Sequence, residues 1–202
     1  MQSSVKRRDR PYRVAVRDFK NRRDEWLEAR KNYITASEAA AFMGKNPYKS
    51  RKRAIADKVH DAGFTPGVRA IAGTHLEDGI ARIWRDVEGV RVRACDSFFA
   101  STKYPWLAAT PDLFVLVPFA GFGVADLKYS EKIDRDGTVP EYYRIQVEQQ
   151  LAVLGLERGW IVSFWGIHFT KAYYEYDQKR IDVLVEATRD AWEEIQKERA
   201  KL

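Results

Sequence analysis

Two aspartates and a lysine carry the densest chemistry in the sequence: Pro111-Asp112, then thirteen residues, then Asp126-Leu127-Lys128. Alternation along a strand puts Asp126 and Lys128 on one face and turns Leu127 toward the other. Residues 113–117 and 124–129 read as short strands joined by the turn Pro118-Phe119-Ala120-Gly121-Phe122-Gly123, so a hairpin brings Asp112 within reach of Asp126. Two carboxylates converging beside an ammonium suit a hard divalent cation such as Mg²⁺, which keeps waters and also binds phosphate. Such an ion polarises a scissile phosphate and acidifies a bound water. Lys128 can orient that water and offset charge developing on phosphorus. The pattern is short and arises often by chance, so its weight depends on the residues around it.

Three further groups line up around it. Glu77 shares a helix face with Gly73, Ile80 and Trp84, where a metal or the lysine would satisfy a carboxylate that is costly to bury alone; the plainer reading places it at the wet edge of the apolar stripe. Gln146 and Gln150, four apart on a helix, share a face and can hold a water or a phosphate without adding charge, although most such pairs face solvent. Arg30 with Thr35 and Ser37, at the start of a short helix, makes an anion site from a guanidinium fork, hydroxyl donors and free backbone N–H groups. Ordinary capping explains Thr35 but neither Arg30 nor Ser37.

The elements that must position these groups are legible in outline. Residues 1–20 read as a basic arm and 21–202 as one domain. Asn21 caps a helix to about residue 30, and Thr35-Ala36-Ser37-Glu38 has the form of a capping box, with Thr35 accepting from the backbone and Glu38 reaching back. The following apolar helix stops near Gly44, Asn46-Pro47-Tyr48 turns the chain, and Ser50 caps a helix to about residue 60. Residues 68–87 form an amphipathic helix, 90–100 a strand, and the chain continues as a polar loop to Pro105. After the hairpin and a charged loop at 130–139, Pro140 opens a helix to about 154, strands follow near 159–166 and 171–177, and a helix covers about 178–200. This order predicts an α/β fold, a mixed sheet with helices packed on it.

Composition narrows the function classes. The 202 residues, 45% hydrophobic with six Trp, ten Tyr and ten Phe, can bury a real core. No run approaches a membrane span, and the basic N-terminus has no apolar stretch behind it, so a cytoplasmic protein is expected. The single cysteine, Cys95, rules out an internal disulfide framework, and His60, His75 and His168 lack zinc spacing. No GxxxxGK[ST] loop supports ATP-driven activity. The net charge of +6, with basic residues crowded between Lys6 and Arg53, fits a solubilising surface or a phosphate-binding rim. The aromatic stretch Trp160 to Tyr176 reads first as sheet core or subunit contact and only second as base stacking.

The ordered set Trp26…Arg30…Ile34-Thr35-Ala36-Ser37-Glu38, Gly73…Glu77, Ala109-Thr110-Pro111-Asp112, Asp126-Leu127-Lys128 and Tyr143-Arg144-Ile145-Gln146-Val147 resembles the phage lambda exonuclease (YqaJ-like viral recombinase) family of the PD-(D/E)xK nuclease superfamily. The match spans roughly residues 24 to 165. The resemblance implies a restriction-endonuclease-like core and 5′-to-3′ digestion of one strand of double-stranded DNA from its ends, leaving 3′ overhangs. It further implies a ring-shaped homotrimer, a single-strand annealing protein as partner in recombination, and a bacterial or phage-infected host cell as location. By position, Asp112, Asp126, Glu77 and the Leu127 backbone carbonyl would hold Mg²⁺, with Mn²⁺ able to substitute and two ions per site. Lys128 would be the catalytic lysine, Gln146 a glutamine of the site, and Arg30, Thr35 and Ser37 the 5′-phosphate pocket. The sequence departs from the family pattern at Asp126, where a Glu is expected, and in Tyr129-Ser130-Glu131-Lys132, which lacks a Cys-Pro run. A site-specific or structure-selective endonuclease on the same core, and a DNA-binding protein without catalysis, are the competing readings.

Overall fold

The structure, a computed structural model, describes residues 10–62, 67–119, 121–134 and 136–202. Two sheets form its frame. The first has the order β1-β4-β5-β2, built from β1 (Tyr12–Arg17), β2 (Ile34–Thr35), β4 (Ser97–Ser101) and β5 (Leu107–Ala109). The second has the order β3-β6-β7-β8-β9, from β3 (Arg91–Ala94), β6 (Leu113–Val117), β7 (Gly121–Tyr129), β8 (Arg158–Trp165) and β9 (His168–Glu175). The helices are α1 (Arg23–Arg30), α2 (Ala39–Phe42), α3 (Arg51–Val59), α4 (Val68–Glu88), α5 (Glu141–Leu154) and α6 (Gln178–Arg199). The α/β class with flanking helices is as the sequence predicts.

Helix α5 is the hub. It supplies the crossover that the parallel pair β7–β8 requires, and it packs on β4, β5, β7 and β8, touching both sheets. Its residues from Val147 to Leu154 are all buried, so that stretch presents no solvent face. Such a helix must satisfy its polar groups internally. Glu148 is paired by Arg144 at 2.8 Å and by Arg180 of α6, and Gln149 donates to the carbonyls of Ile34 and Ala108 at 2.8 and 2.9 Å. Gly155 ends the helix at φ 64°, in the left-handed conformation that glycine adopts without penalty. Helix α4 covers the opposite face of the second sheet, where Ile80, Ala81 and Trp84 pack with Leu113, Val115, Ala125, Leu127 and Val162.

The fold departs from the sequence expectations in four places. Residues 12–17 are not part of an arm: Tyr12-Arg13-Val14-Ala15-Val16-Arg17 pairs antiparallel with β4 and buries Val16. Its period-two pattern was masked by the surrounding charge, whereas residues 1–9 of the expected arm lie outside the described residues. The strand expected at 90–100 is two strands in different sheets, since the chain crosses over at Cys95-Asp96, where Cys95 N donates to Asp112 O at 2.9 Å. Residues 107–109, where no element is expected from the sequence, form β5. Asn21 does not cap α1; its amide donates to Asp18 at 3.1 Å instead. Ser50 does cap α3, accepting from Arg53 N at 3.3 Å.

Most of the aromatic stretch is partly buried against the core. Trp160, Phe164 and Phe169 pack against the cluster under α4, Tyr174 and Tyr176 pack against the main core, and Tyr173 is exposed. Burial pushes the Cys95 thiol up to about 12, in keeping with a chemically quiet residue.

Candidate active site

The β6–β7 hairpin builds the centre of the site. Its register pairs Leu113 with Ala125, which leaves Asp112, one residue before β6, alongside Asp126. Asp112 Oδ2 accepts from the Leu127 backbone N–H at 2.6 Å, so the carboxylate is tied to the neighbouring strand. The alternation in β7 holds: Leu127 packs under α4, while Asp126 and Lys128 turn toward α5.

Two glutamines on α5 meet them. Asp126 Oδ1 accepts from Gln146 Nε2 at 2.6 Å and from Gln150 Nε2 at 2.9 Å. Gln146 Oε1 in turn accepts from Lys128 Nζ at 3.1 Å. The four-residue spacing on the helix thus places both amides on one carboxylate. Asp126 Oδ2 is buried without a hydrogen bond and faces the Lys128 ammonium as an ion pair.

Asp112, Asp126, Lys128 and Gln146 line a cleft of about 580 Å³ together with Glu77, from the middle of α4. Glu77 is only half-buried, between the two readings the sequence allowed. Tyr48, Lys132, Tyr142 and Tyr143 line the same cleft. Of these, Tyr48, Lys132 and Tyr142 escaped the sequence reading, because the loops and helix that carry them meet only in the folded chain.

Charge is crowded here. Burial raises the Asp112 carboxyl well above the ordinary range, and the Asp126 and Glu77 carboxylates add to it against Lys128 and the Leu127 N–H. Glu77 is also raised, first by burial and then by Asp126, against the opposing pull of Lys20 and Lys128. Burial works against the Lys128 ammonium, but Asp126 and Asp112 outweigh it and hold the amine above the usual lysine range. Lys128 is therefore a cation at neutral pH.

Among the described residues no three His, Cys, Asp or Glu side chains converge into a finished metal cluster. The residues nonetheless fit a hard cation. Three carboxylates, Asp112, Asp126 and Glu77, line one cleft, and their oxygen donors and mutual repulsion suit a hard counter-cation.

Arg30, Thr35 and Ser37 do come together, but not as expected. Arg30 lies 4.6 Å from the Trp26 ring centre and donates to Thr35 Oγ1 at 3.1 Å, and Ser37 Oγ lies 3.3 Å from Thr35 Oγ1. Glu38 enters the group: its Oε2 accepts from Thr35 N at 2.9 Å and from Thr35 Oγ1 at 2.7 Å, and Lys58 Nζ lies 3.0 Å from each of its oxygens. Glu38 reaches back as a capping box requires, but the Thr35 hydroxyl donates to it rather than accepting from the backbone, and α2 begins only at Ala39. The expected helix N-terminus is therefore not at Thr35, and the outward donors are Arg30 and the exposed Ser37. None of the three lines the carboxylate cleft. Trp26, beside Arg30, donates from Nε1 to Thr110 Oγ1 at 3.5 Å, two residues before Asp112, and Gln149 of α5 donates to the carbonyl of Ile34, next to Thr35.

The fold is shared with solved nucleases. The alkaline exonuclease LHK-Exo of Laribacter hongkongensis superposes with a TM-score of 0.75 at 20% identity, covering 88% of this chain and 95% of that one. The same protein in complex with dAMP gives a TM-score of 0.76 at 20% identity over the same shares, 88% and 95%. A phage-related exonuclease from Haemophilus somnus 129PT gives 0.66 at 13% identity, over 82% of this chain and 96% of that one. The uncharacterized protein YqaJ of Bacillus subtilis strain 168 is 27% identical over 188 residues, 89% of this chain, which spans 58% of that relative's length. The model of the YqaJ-like viral recombinase domain matches residues 25–157, more than half of the sequence and all of the site residues just described, and the chain belongs to that family.

Proposed function

We propose that this chain is a magnesium-dependent exonuclease that digests double-stranded DNA from its ends in the 5′-to-3′ direction and leaves 3′ single-stranded overhangs. The observation that carries the reading is the convergence of Asp112, Asp126, Lys128 and Gln146 in one cleft, the two aspartates side by side across the hairpin and the lysine fixed between Asp126 and Gln146. Family membership and a basic net charge of +6 support a DNA substrate. That a protein of the same fold is known in complex with dAMP agrees with a mononucleotide product.

Asp112, Asp126, Glu77 and the Leu127 carbonyl would hold Mg²⁺, with Mn²⁺ as substitute and room for two ions. The ion supplies Lewis-acid polarisation of a phosphate oxygen and acidifies water. The chain's own groups do the rest. Lys128 keeps its proton and places a positive charge where charge develops on the phosphate. Gln146 holds that ammonium and the Asp126 carboxylate in fixed relation. Arg30 and Ser37 present donors to a terminal 5′ phosphate, with Thr35 and Glu38 holding Arg30 in place. A ring-shaped homotrimer, a single-strand annealing partner and a cytoplasmic setting in a bacterial or phage-infected cell belong to the same proposal by family resemblance.

The test is digestion of end-labelled linear duplex and of covalently closed circular duplex, each with Mg²⁺ and with excess EDTA. Release of mononucleotides from linear DNA alone, only with Mg²⁺, is expected. Cleavage of the circle would make the chain an endonuclease, and no cleavage of either would leave a DNA-binding protein.

A further inference from the structure

The cleft has a wall that hydrolysis does not use. Tyr48 stands there 66% exposed, a large aromatic surface to leave in water. The loop that displays it is fixed: Asn46 Oδ1 accepts from Tyr48 N at 2.8 Å and from Lys49 N at 3.1 Å, and Lys45 reaches Glu141 of α5 at 3.5 Å. Tyr142 backs the ring edge to face, with centres 5.9 Å apart and planes at 81°. Tyr142 packs on Tyr143 at 4.3 Å, and the Tyr143 ring centre lies 4.8 Å from Lys128 Nζ. Three rings therefore run without a break from the site lysine to the surface. Lys132 Nζ lies over the Tyr48 ring, 4.5 Å from its centre, so a stacking base takes the other face or displaces this flexible side chain.

The same cleft is lined by Glu77, Asp112 and Asp126, suited to the phosphate end of a ligand through a cation and unsuited to an apolar ring. A molecule with a phosphate at one end and a flat aromatic ring at the other matches both sets of groups. The cleft volume, about 580 Å³, falls within the range of roughly 300–1,000 Å³ usual for small-molecule sites. We propose that Tyr48, backed by Tyr142, is a stacking ledge for the nucleobase of a deoxynucleoside monophosphate whose phosphate lies at these carboxylates, either the product or the terminal nucleotide of the strand. The inference rests on the nuclease reading for the role of the phosphate. Stacking on an aromatic ring tolerates every base, because every base has a π face, so the ledge holds a nucleotide without selecting a sequence.

The experiment measures binding, not turnover. Wild type, Tyr48→Ala and Tyr48→Phe of the full chain are titrated by calorimetry with dAMP, dCMP and 2-deoxyribose 5-phosphate in the presence of Ca²⁺. Wild type is expected to bind dAMP and dCMP with similar affinity and the sugar phosphate roughly ten-fold more weakly, the usual scale of one base–aromatic stack. Tyr48→Ala should bring both nucleotides down to the sugar phosphate and leave the sugar phosphate unchanged, and Tyr48→Phe should behave as wild type. Unchanged dAMP affinity in Tyr48→Ala, equal losses for nucleotide and sugar phosphate, or no dAMP binding by wild type would each overturn the ledge. Duplex digestion by wild type alongside an inert Tyr48 would remove the ledge and keep the nuclease. Tyr48-dependent nucleotide binding by a wild type that cleaves no DNA would do the reverse.

Discussion

Thr35 gives its hydroxyl proton to Glu38, Oγ1 to Oε2 at 2.7 Å. A hydroxyl has one proton, and an ionised carboxylate can only accept, so Thr35 is left with acceptor capacity alone, which Arg30 uses at 3.1 Å. Thr35 thus orients Arg30 and donates nothing to an incoming phosphate.

A terminal 5′ phosphate carries more charge than an internal diester, so wild type should digest 5′-phosphorylated ends faster than 5′-hydroxyl ends. Arg30→Ala should shrink that ratio by roughly ten- to a hundredfold, the effect of losing one charge-assisted hydrogen bond. Ser37→Ala should shrink it less, and Thr35→Val should largely preserve it while lowering the melting temperature. Lys52→Ala, an exposed charge, should weaken both substrates alike. Initial rates on the two end types at one salt concentration decide this. Equal slowing of both ends by Arg30→Ala would leave the group a purely structural one.

Lys128→Ala, Asp112→Asn and Asp126→Asn should each lower the cleavage rate by about 10²-fold or more while the fold persists, as expected for groups stabilising charge at the reacting centre. The asparagine variants keep the shape that Leu127 N, Gln146 and Gln150 bind. Asp112→Asn should also raise the melting temperature of the metal-free protein. Its carboxyl, raised by burial and by Asp126 and Glu77, binds its proton more tightly folded than unfolded. Stability is then lost as pH rises from the unfolded value through the raised one, and a neutral side chain removes that loss. A lower melting temperature in this variant would contradict the crowding.

Cleavage should need Mg²⁺ or Mn²⁺, and Ca²⁺ should support DNA binding without turnover, since it accepts looser coordination and is the poorer Lewis acid. Because Asp112 and Glu77 both hold protons above the ordinary range, metal binding should release protons, and metal affinity should fall as pH is lowered through that raised range. Calorimetry of Mg²⁺ binding in buffers of different ionisation enthalpy reads the protons directly. Full activity in excess EDTA would remove the metal from the mechanism.

Lys58 and Glu38 form an ion pair whose side chains are 8% and 32% exposed. Burial raises the Glu38 carboxyl, but Lys58, Arg30 and the Thr35 bonds outweigh it and leave it below the ordinary value. Its stabilisation is therefore complete above the unfolded value, about 4.3, and is lost as pH falls through the lowered folded value. Thermal melts between pH 6 and 3 should show this acid loss in wild type and a smaller one in Glu38→Gln. Glu38→Ala should cost roughly 2 kcal/mol at neutral pH, a buried-pair loss reduced by the partial exposure of Glu38. Parallel acid profiles for wild type and Glu38→Gln would assign the loss elsewhere.

What the sequence determined by itself was the chemistry that short spacings dictate. Two residues apart on a strand share a face, which set Asp126 beside Lys128; four apart on a helix share a face, which set Gln146 and Gln150 together; and a tight turn between two strands returned Asp112 to Asp126. Periodicity names a face but not the partner that covers it, so everything resting on distant pairs was left to the tertiary structure. It drew Tyr12–Arg17 out of a basic segment onto a sheet edge, and it split the strand expected at 90–100 between two sheets. It brought Lys58 to Glu38, which turned the Thr35 hydroxyl away from the anion it was expected to meet, and it set Tyr48 against Tyr142 in the cleft. Each of these contacts joins segments whose separation in the chain carries no local signal, and loop closure and packing alone select them.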